Sequence, residues 1–186
     1  MNRLTEALGN RSVVLVGLMG AGKTSVGRRL SHYLGLPFTD ADQEIESAAG
    51  CTIADFFETY GEPAFRDGEE KVIDRLLNNG PQILSTGGGA FMSHKTRKRI
   101  AERGVSVWLR ADINVLIRRT GRRNDRPLLR GKNAAETLKR LVAERHPVYA
   151  GADITVETGT ESVDNTAKLV LRSLASFLGV SADDLP

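Results

Sequence analysis

A glycine-rich segment near the N-terminus is the first part of the sequence whose residue types and spacing could do chemistry. It fits the phosphate-loop pattern G-x-x-x-x-G-K-[ST] and reads Gly17-Leu18-Met19-Gly20-Ala21-Gly22-Lys23-Thr24. Glycines let backbone N–H groups converge on phosphate oxygens, while Lys23 can reach the β- and γ-phosphates and the Thr24 hydroxyl can coordinate Mg²⁺. The segment therefore predicts a nucleotide site and disfavours the alternative, a glycine-rich turn that binds nothing.

Two aspartates, Asp40 and Asp42, stand at the end of the second predicted strand. If that strand is the neighbour of the first one, both carboxylates lie beside the phosphate loop. One carboxylate could then support Mg²⁺ while the other takes the proton of a hydroxyl group that attacks phosphorus. One of the two could instead cap the following helix, and the two roles can be divided between them.

Three further features are weak indications when taken singly. Arg66 follows Phe65 on a predicted helix, where a surface arginine is the ordinary interpretation. The segment Gly87-Gly88-Gly89 follows a predicted strand and allows the backbone to approach a ligand closely, although a tight turn would look the same. Arg145 lies near the end of a predicted helix, where it would also complement the helix dipole.

Short apolar segments alternate with helical patterns along the whole chain. Strands are predicted at 12–16, 37–40, 82–86, 105–109 and 154–156, and helices at 23–34, 42–49, 52–60, from 63 onward, 93–103, from 112 onward, 133–145 and 162–178. This alternation predicts an α/β fold, a three-layer sandwich with a parallel sheet of about five strands. Ligands of such sheets bind beyond the carboxyl ends of the strands, which is where the glycine-rich segments fall.

The composition is that of a soluble globular protein. The 186 residues are 40% hydrophobic and 26% charged, which fits one domain over 1–186 with a core at about 11–178. No apolar run approaches the ~20 residues that span a bilayer, and no signal-like segment opens the sequence. The single cysteine, Cys51, cannot form an internal disulfide. We therefore expect a cytoplasmic protein that does not enter a membrane.

Arginines are concentrated in one stretch of the second half of the chain. Eight of the 19 lie between Arg118 and Arg145, and the segment 121–131 is polar, bounded by glycines and predicted to be a mobile loop. Such a cluster suits a small anionic ligand or a nucleic acid. The basic residues lack interleaved aromatics, and no helix-turn-helix or zinc-ligand spacing is visible. The sequence therefore predicts no nucleic-acid partner.

Taken together, these segments resemble the shikimate kinase family. The resemblance covers about residues 11–158 and rests on the phosphate loop, Asp40-Ala41-Asp42 with Ile45-Glu46, Gly61-Glu62 through Phe65-Arg66, Ser85-Thr86-Gly87-Gly88-Gly89-Ala90, Arg126-Pro127-Leu128-Leu129 and Arg145-His146-Pro147-Val148-Tyr149. It implies a P-loop kinase fold, similar to that of nucleoside monophosphate kinases, with a mobile lid at about 120–132. The implied reaction moves the γ-phosphate of ATP to the 3-hydroxyl of shikimate, on the route to chorismate and the aromatic amino acids.

The resemblance also implies roles for individual residues. Catalysis would fall to Lys23, to Asp42 as the base, and to Arg126, which would reach the transferring phosphate from the lid. The nucleotide would be held by Arg126, by Arg119 against adenine, and by Gly20, Ala21, Gly22, Lys23, Thr24 and Ser25 around the phosphates. The cofactor would be Mg²⁺, held by Thr24 and, through water, by Asp40.

The shikimate pocket follows from the same resemblance. Its predicted residues are Asp42, Phe57, Phe65, Arg66, Gly88, Gly89 and Arg145, with Arg66 and Arg145 pairing with the carboxylate. The sequence departs from the family pattern after Val156, where Glu157-Thr158-Gly159 replaces a basic or proline-containing stretch near adenine.

Two alternatives within the same architecture remain open at this point. Another small-molecule kinase, such as a gluconate kinase, would share the phosphate loop but not the later motifs. A catalytically silent homologue is disfavoured because Lys23, Asp42 and Arg126 are all present. We expect a monomer, because the resemblance implies the monomeric state usual in the family and the sequence has no long exposed apolar stripe.

Overall fold

Five parallel strands form the sheet that the sequence predicts. The structure is a computed structural model that describes residues 3–121, 133–181, 183 and 185 of the chain. The strands are β1 (Ser12–Val16), β2 (Phe38–Asp40), β3 (Ile83–Ser85), β4 (Gly104–Ala111) and β5 (Ile154–Thr158). Their spatial order is β2-β3-β1-β4-β5, and all neighbours are parallel. The predicted α/β class is therefore confirmed.

Helices cover the sheet and supply the outer layers. In the described part of the chain they are α1 (Arg3–Leu8), α2 (Lys23–Leu34), α3 (Ala41–Ala49), α4 (Ile53–Asn78), α5 (His94–Arg103), α6 (Ile113–Thr120), α7 (Ala134–Tyr149) and α8 (Val163–Leu178), with a 3₁₀ turn at Ala90–Met92. None of these described helices is both long and apolar enough to cross a membrane.

The position of each strand explains its burial pattern. Every residue of β1 is buried because this strand lies in the centre of the sheet and is covered on both faces. In β5, at the edge, buried and exposed residues alternate. The core is built mainly from Val, Leu and Ile, with Trp108 and Tyr149 as large buried aromatics.

A break at Gly61 divides α4 where the sequence predicts the meeting of two helices. Gly61 has φ 78° and ψ 170°, a conformation that glycine adopts at little steric cost, and Pro63 opens the second half. The bend brings Phe57 and Phe65, one from each half, to a ring-centroid distance of 4.5 Å. The bend in α4 therefore packs two aromatic rings of the same helix against each other.

Two sequence predictions about the helices need correction. The helix predicted to end before Pro147 continues to Tyr149. A proline in the last turn removes only one backbone hydrogen bond, and burial of Tyr149 stabilises the extension. The helix α1 was not predicted, since six residues are too few for a periodic signal; Leu4 and Leu8 bury it against the core.

The strand order does not make the first two strands neighbours, which was the condition for Asp40 and Asp42 to lie beside the phosphate loop. Instead, β3 lies between them. The predicted lid at 120–132 falls almost entirely in 122–132, outside the described residues, and Arg126 lies there with it.

Candidate active site

A cleft of about 750 Å³ opens at the carboxyl ends of the central strands. It is lined by residues 20–26, by Asp40 and Asp42, by Ser85, Thr86 and Gly88, and at its far end by Arg119, Thr158 and Glu161. All six residues predicted to wrap the phosphates are among them. The fold thus brings together around one space the phosphate loop, the aspartate pair (Asp40 and Asp42) and the glycine turn (residues 87–89), as expected for a sheet of this kind.

The phosphate loop is packed tightly and holds its lysine inside. A side chain at Gly17 would lie 2.7 Å from the carbonyl oxygen of Leu109, so the loop passes too close to β4 for any larger residue. The buried Lys23 ammonium donates hydrogen bonds to the carbonyls of Gly17 (2.7 Å) and Leu18 (3.1 Å). These contacts place a positive charge in the loop, beside the N-terminus of α2, where phosphate groups would bind.

Asp40 reaches the phosphate loop even though β2 and β1 are not neighbours. Its Oδ2 accepts a hydrogen bond from the Thr24 hydroxyl at 2.9 Å, and its Oδ1 accepts one from the Asp42 N–H at 3.1 Å. Asp40 therefore both caps α3 and faces the loop, which combines the two roles that the sequence left open. The carboxylate and the hydroxyl are oxygen donors of the type that Mg²⁺ prefers.

No cluster of three or more His, Cys, Asp or Glu side chains that could hold a metal occurs among the described residues. The Thr24–Asp40 pair suits a cation that takes its other ligands from phosphates and water, which is how Mg²⁺ is usually bound beside nucleotides. The donors present therefore fit a magnesium ion carried with a nucleotide.

Arg66 lies against the glycine turn and is held there by two glutamates. Its guanidinium forms ion pairs with Glu69 (2.7 Å) and Glu62 (3.1 Å), both on α4. The guanidinium also lies against Gly89, where an added Cβ would be 2.5 Å from two of its nitrogens. The guanidinium carbon of Arg66 is 5.2 Å from the centre of the Phe65 ring. The structure therefore brings Phe65, Arg66 and Gly89 together.

Glu69 is a buried carboxylate that the sequence analysis missed. It is 2% exposed, and its Oε1 has no hydrogen-bond partner among the described residues. A Cβ at Gly87 would lie 2.7 Å from this oxygen and 2.8 Å from Oδ1 of Asp42, so the two carboxylates meet across Gly87. Burial raises the pKa of Glu69 against the opposing charge of Arg66, and Asp42 adds to the rise. The one-turn spacing of Glu62, Arg66 and Glu69 was the available signal.

Arg145 and Tyr149 hold the glycine turn from the last turns of α7. Arg145 is only 7% exposed and donates a hydrogen bond to the carbonyl of Gly88 at 2.6 Å. The hydroxyl of Tyr149 donates to the same carbonyl oxygen. The structure thus places both Arg145 and Tyr149 beside the turn, and Tyr149 was visible in the sequence only as part of a family motif.

Arg119 joins the two loops at the nucleotide end of the cleft. One of its nitrogens donates to the carbonyl of Gly159 at 2.7 Å and another to that of Gly20 at 3.2 Å. Glu161 in turn accepts a hydrogen bond from the Gly159 N–H at 2.9 Å. The segment that departs from the family pattern therefore contacts Arg119 through its backbone, which any residue at that position would supply.

Not every predicted residue faces the open cleft. Phe57, Phe65, Arg66, Gly89 and Arg145 are absent from its described lining and lie beside it, behind the glycine turn and the bend of α4. Phe65 is buried and supports Phe57 instead of presenting an open surface.

Burial of Glu69 should make stability depend on pH. Because its pKa is raised above the ordinary 4.5, the folded chain binds the Glu69 proton more tightly than the unfolded chain does. The free energy of unfolding should therefore fall, relative to Glu69→Gln, as pH rises from that value through the raised pKa. Denaturant titrations of both proteins between about pH 4 and pH 8 measure the difference.

Glu62→Gln is the matched control for this measurement, because Glu62 contacts the same arginine from a largely exposed position. Its stability should follow that of the wild-type chain across the range. A wild-type stability that rises with pH relative to Glu69→Gln would contradict the prediction.

Comparison with known proteins agrees with the arrangement of the phosphate loop, the aspartate pair and the glycine turn. A model of the shikimate kinase family matches residues 19–175. A shikimate kinase from Rhodopseudomonas palustris is 60% identical over 153 residues, which are 82% of this chain and 75% of that protein. One from Mesorhizobium japonicum is 51% identical over 177 residues, or 95% of this chain and 87% of that protein.

Solved structures extend the comparison to the fold. A shikimate kinase from Acinetobacter baumannii in complex with shikimate superposes with a TM-score of 0.88 at 37% identity, covering 92% of this chain and 97% of that one. A gluconokinase from Sinorhizobium meliloti 1021 reaches a TM-score of 0.57 at 19% identity, over 91% and 94% of the two chains, so it shares the fold alone. The family model and these relatives, together with a cleft that joins the phosphate loop, the aspartate pair and Gly88, show that the chain belongs to the shikimate kinase family.

Proposed function

We propose that the chain transfers the γ-phosphate of ATP to the 3-hydroxyl of shikimate and releases ADP and shikimate 3-phosphate. This step leads toward chorismate and the aromatic amino acids. The observation that carries the proposal is the joining of two half-sites across one glycine turn. Lys23 and Thr24 lie on the nucleotide side, while Arg66 and Arg145 contact Gly89 and Gly88 on the other side.

Asp42 is proposed to accept the hydroxyl proton. It lines the cleft at the start of α3, between the phosphate loop and the glycine turn. As the substrate oxygen bonds to the γ-phosphorus, the bond from that phosphorus to the β–γ bridging oxygen breaks, and the hydroxyl proton passes to the Asp42 carboxylate. Lys23 and the loop N–H groups stabilise the negative charge shared among the phosphate oxygens.

Mg²⁺ fits the Thr24 hydroxyl and the Asp40 carboxylate, which lie 2.9 Å apart at the mouth of the loop. When bound with ATP, the ion would neutralise charge on the β- and γ-phosphates. Asp40 keeps its cap on α3 through the other carboxylate oxygen, so its position does not depend on the ion.

The shikimate carboxylate would bind between Arg66 and Arg145. Guanidinium groups pair with carboxylates through two parallel hydrogen bonds, which fix orientation as well as charge. Arg66 is already held by two glutamates, so its fork is aligned before substrate arrives. Alignment in advance reduces the ordering cost of binding.

The remaining sequence expectations form part of the same proposal. We propose one domain over 1–186, a monomeric cytoplasmic enzyme without a nucleic-acid partner, and Arg119 as the contact to adenine. Arg126 is proposed to assist phosphoryl transfer; it lies outside the described residues, and the family motif supports the assignment.

Release of ADP tests the proposal directly. The protein is assayed with ATP and Mg²⁺ in three parallel reactions, with shikimate, with gluconate and with no acceptor. We expect release that depends on shikimate alone. Gluconate is the informative second acceptor because a gluconokinase shares the fold. Release with gluconate, or none with either acceptor, would overturn the assignment of the acceptor pocket.

Arg66→Lys should weaken shikimate far more than ATP. An ammonium group cannot form the two-pronged contact, so KM for shikimate should rise about tenfold or more while KM for ATP stays within about twofold. Steady-state kinetics with each substrate varied in turn measure both constants.

Arg75→Lys is the matched control, since Arg75 lies on the same helix in an exposed ion pair with Glu44. Both KM values of this variant should remain near those of the wild-type chain. An equal rise of the two constants in Arg66→Lys would indicate a general loss of structure and contradict the assigned role.

A further inference from the structure

The carbonyl oxygen of Gly88 receives two hydrogen bonds from α7. One comes from the Arg145 guanidinium at 2.6 Å and the other from the Tyr149 hydroxyl. The two donors stand four residues apart, one helical turn, and therefore project from the same face. Two buried donors from one helix are thus directed at a single backbone oxygen that borders the cleft.

The two donors differ in their freedom to leave. Under the proposed function, Arg145 turns its guanidinium toward the substrate carboxylate, a stronger acceptor than a carbonyl. Tyr149 has no such freedom, because it is 0% exposed and its ring is surrounded by other rings. The ring centroids lie 5.8 Å away for Trp108, 6.3 Å for Phe91 and 6.4 Å for His146.

Tyr149 also remains a donor at every physiological pH. Burial raises the pKa of its hydroxyl to about 12, in spite of the nearby positive charge of Arg145. The proton needed for the hydrogen bond to Gly88 is therefore always present.

The Gly88 carbonyl shares a rigid peptide plane with the N–H of Gly89. Because the carbonyl is turned toward α7, the Gly89 N–H faces the opposite way, away from that helix. This peptide lies between two glycines, whose backbones lack the steric restriction that would oppose its rotation. A hydrogen bond from the Ala90 N–H to the Gly87 carbonyl (3.2 Å) closes the turn around this peptide without engaging the peptide's own carbonyl or N–H. The hydrogen bonds from α7 are the ones that act on the Gly88 carbonyl and so fix the direction of the Gly89 N–H group.

We propose that Tyr149 is a positioning residue, which keeps the Gly88–Gly89 peptide in its orientation while Arg145 exchanges the Gly88 carbonyl for the substrate carboxylate. The inference rests on the proposed function, since the exchange requires an acidic substrate in this corner. It adds to that function a residue that touches neither substrate. Tyr149 acts through the backbone amide of Gly89, one of the residues predicted for the shikimate pocket.

Tyr149→Phe tests the role, because it retains the ring packing and removes only the hydroxyl. KM for shikimate should rise about 3- to 10-fold, the change expected for one lost hydrogen bond, while KM for ATP stays within about twofold. In the shikimate complex, hydrogen exchange of the amides at 87–89 should be faster in this variant than in the wild-type chain.

Tyr33→Phe is the matched control, since it removes another tyrosine hydroxyl that donates a hydrogen bond, at 2.6 Å to Asp164, away from the glycine turn. Both of its KM values should equal those of the wild-type chain. A Tyr149→Phe variant with unchanged KM for shikimate, or with a parallel rise of both constants, would overturn the inference. A wild-type chain that releases no ADP with shikimate would instead overturn the proposed function, so the two failures are distinguishable.

Discussion

Replacing Lys23 by alanine should lower kcat for shikimate phosphorylation by about 10³-fold or more. The Lys23 ammonium is buried in the loop between the carbonyls of Gly17 and Leu18, beside the start of α2. In the transition state, negative charge is shared among the transferring phosphoryl oxygens, and the methyl group of alanine can neither donate a hydrogen bond to it nor oppose it with a positive charge. Coupled assay of ADP release at saturating shikimate and ATP measures the loss.

Two further variants separate this charge effect from a loss of structure. Lys23→Met retains the apolar stem and should be as inactive as the alanine variant. Lys95→Ala removes a lysine whose side chain is largely exposed, and it should keep wild-type turnover. Turnover near the wild-type rate in Lys23→Ala would refute the phosphate role.

Replacing Asp42 by asparagine should lower kcat by about 10²- to 10⁴-fold, the range attributed to a positioned general base. The amide has nearly the shape of the carboxylate but cannot accept the hydroxyl proton. Affinity for ATP should change little, because the carboxylate that contacts Thr24 of the phosphate loop belongs to Asp40, which this substitution leaves in place. Single-turnover phosphoryl transfer and equilibrium binding of ATP measure the two effects separately.

Asp74→Asn is the control for this substitution, since Asp74 is a partly exposed aspartate that pairs with Arg99 on the outer side of α4. It should transfer phosphate at the wild-type rate. Unimpaired transfer in Asp42→Asn would exclude Asp42 as the base and would direct attention to Glu69, the other carboxylate that faces Gly87.

Local patterns predicted most of the elements and the phosphate loop. A continuous apolar segment predicted β1, and glycine spacing before Lys23 predicted the loop, because both depend on residues adjacent in the chain. The break at Gly61 was likewise visible from one glycine and one proline. The family motifs extended these local signals to the acceptor residues.

Contacts between distant segments needed the folded chain. The two strands before the phosphate loop and Asp42 are not neighbours, because β3 lies between β1 and β2, yet Asp40 accepts a hydrogen bond from Thr24 across the end of β3. Nothing in the spacing of Asp42 and Glu69 shows that they face each other across Gly87. Their electrostatic coupling arises only when burial removes water from between the two carboxylates.

The order of the elements along the chain and the chemistry of the phosphate loop can thus be predicted from the sequence, because short-range sterics and hydrophobic periodicity encode them. The contact of Arg66 with Gly89, the hydrogen bond of Arg145 to Gly88 and that of Tyr149 to Gly88 are decided by packing among segments far apart in the chain. Burial and hydrogen bonding at such contacts depend on distances that only the tertiary fold sets, and these distances convert a list of polar residues into an active site.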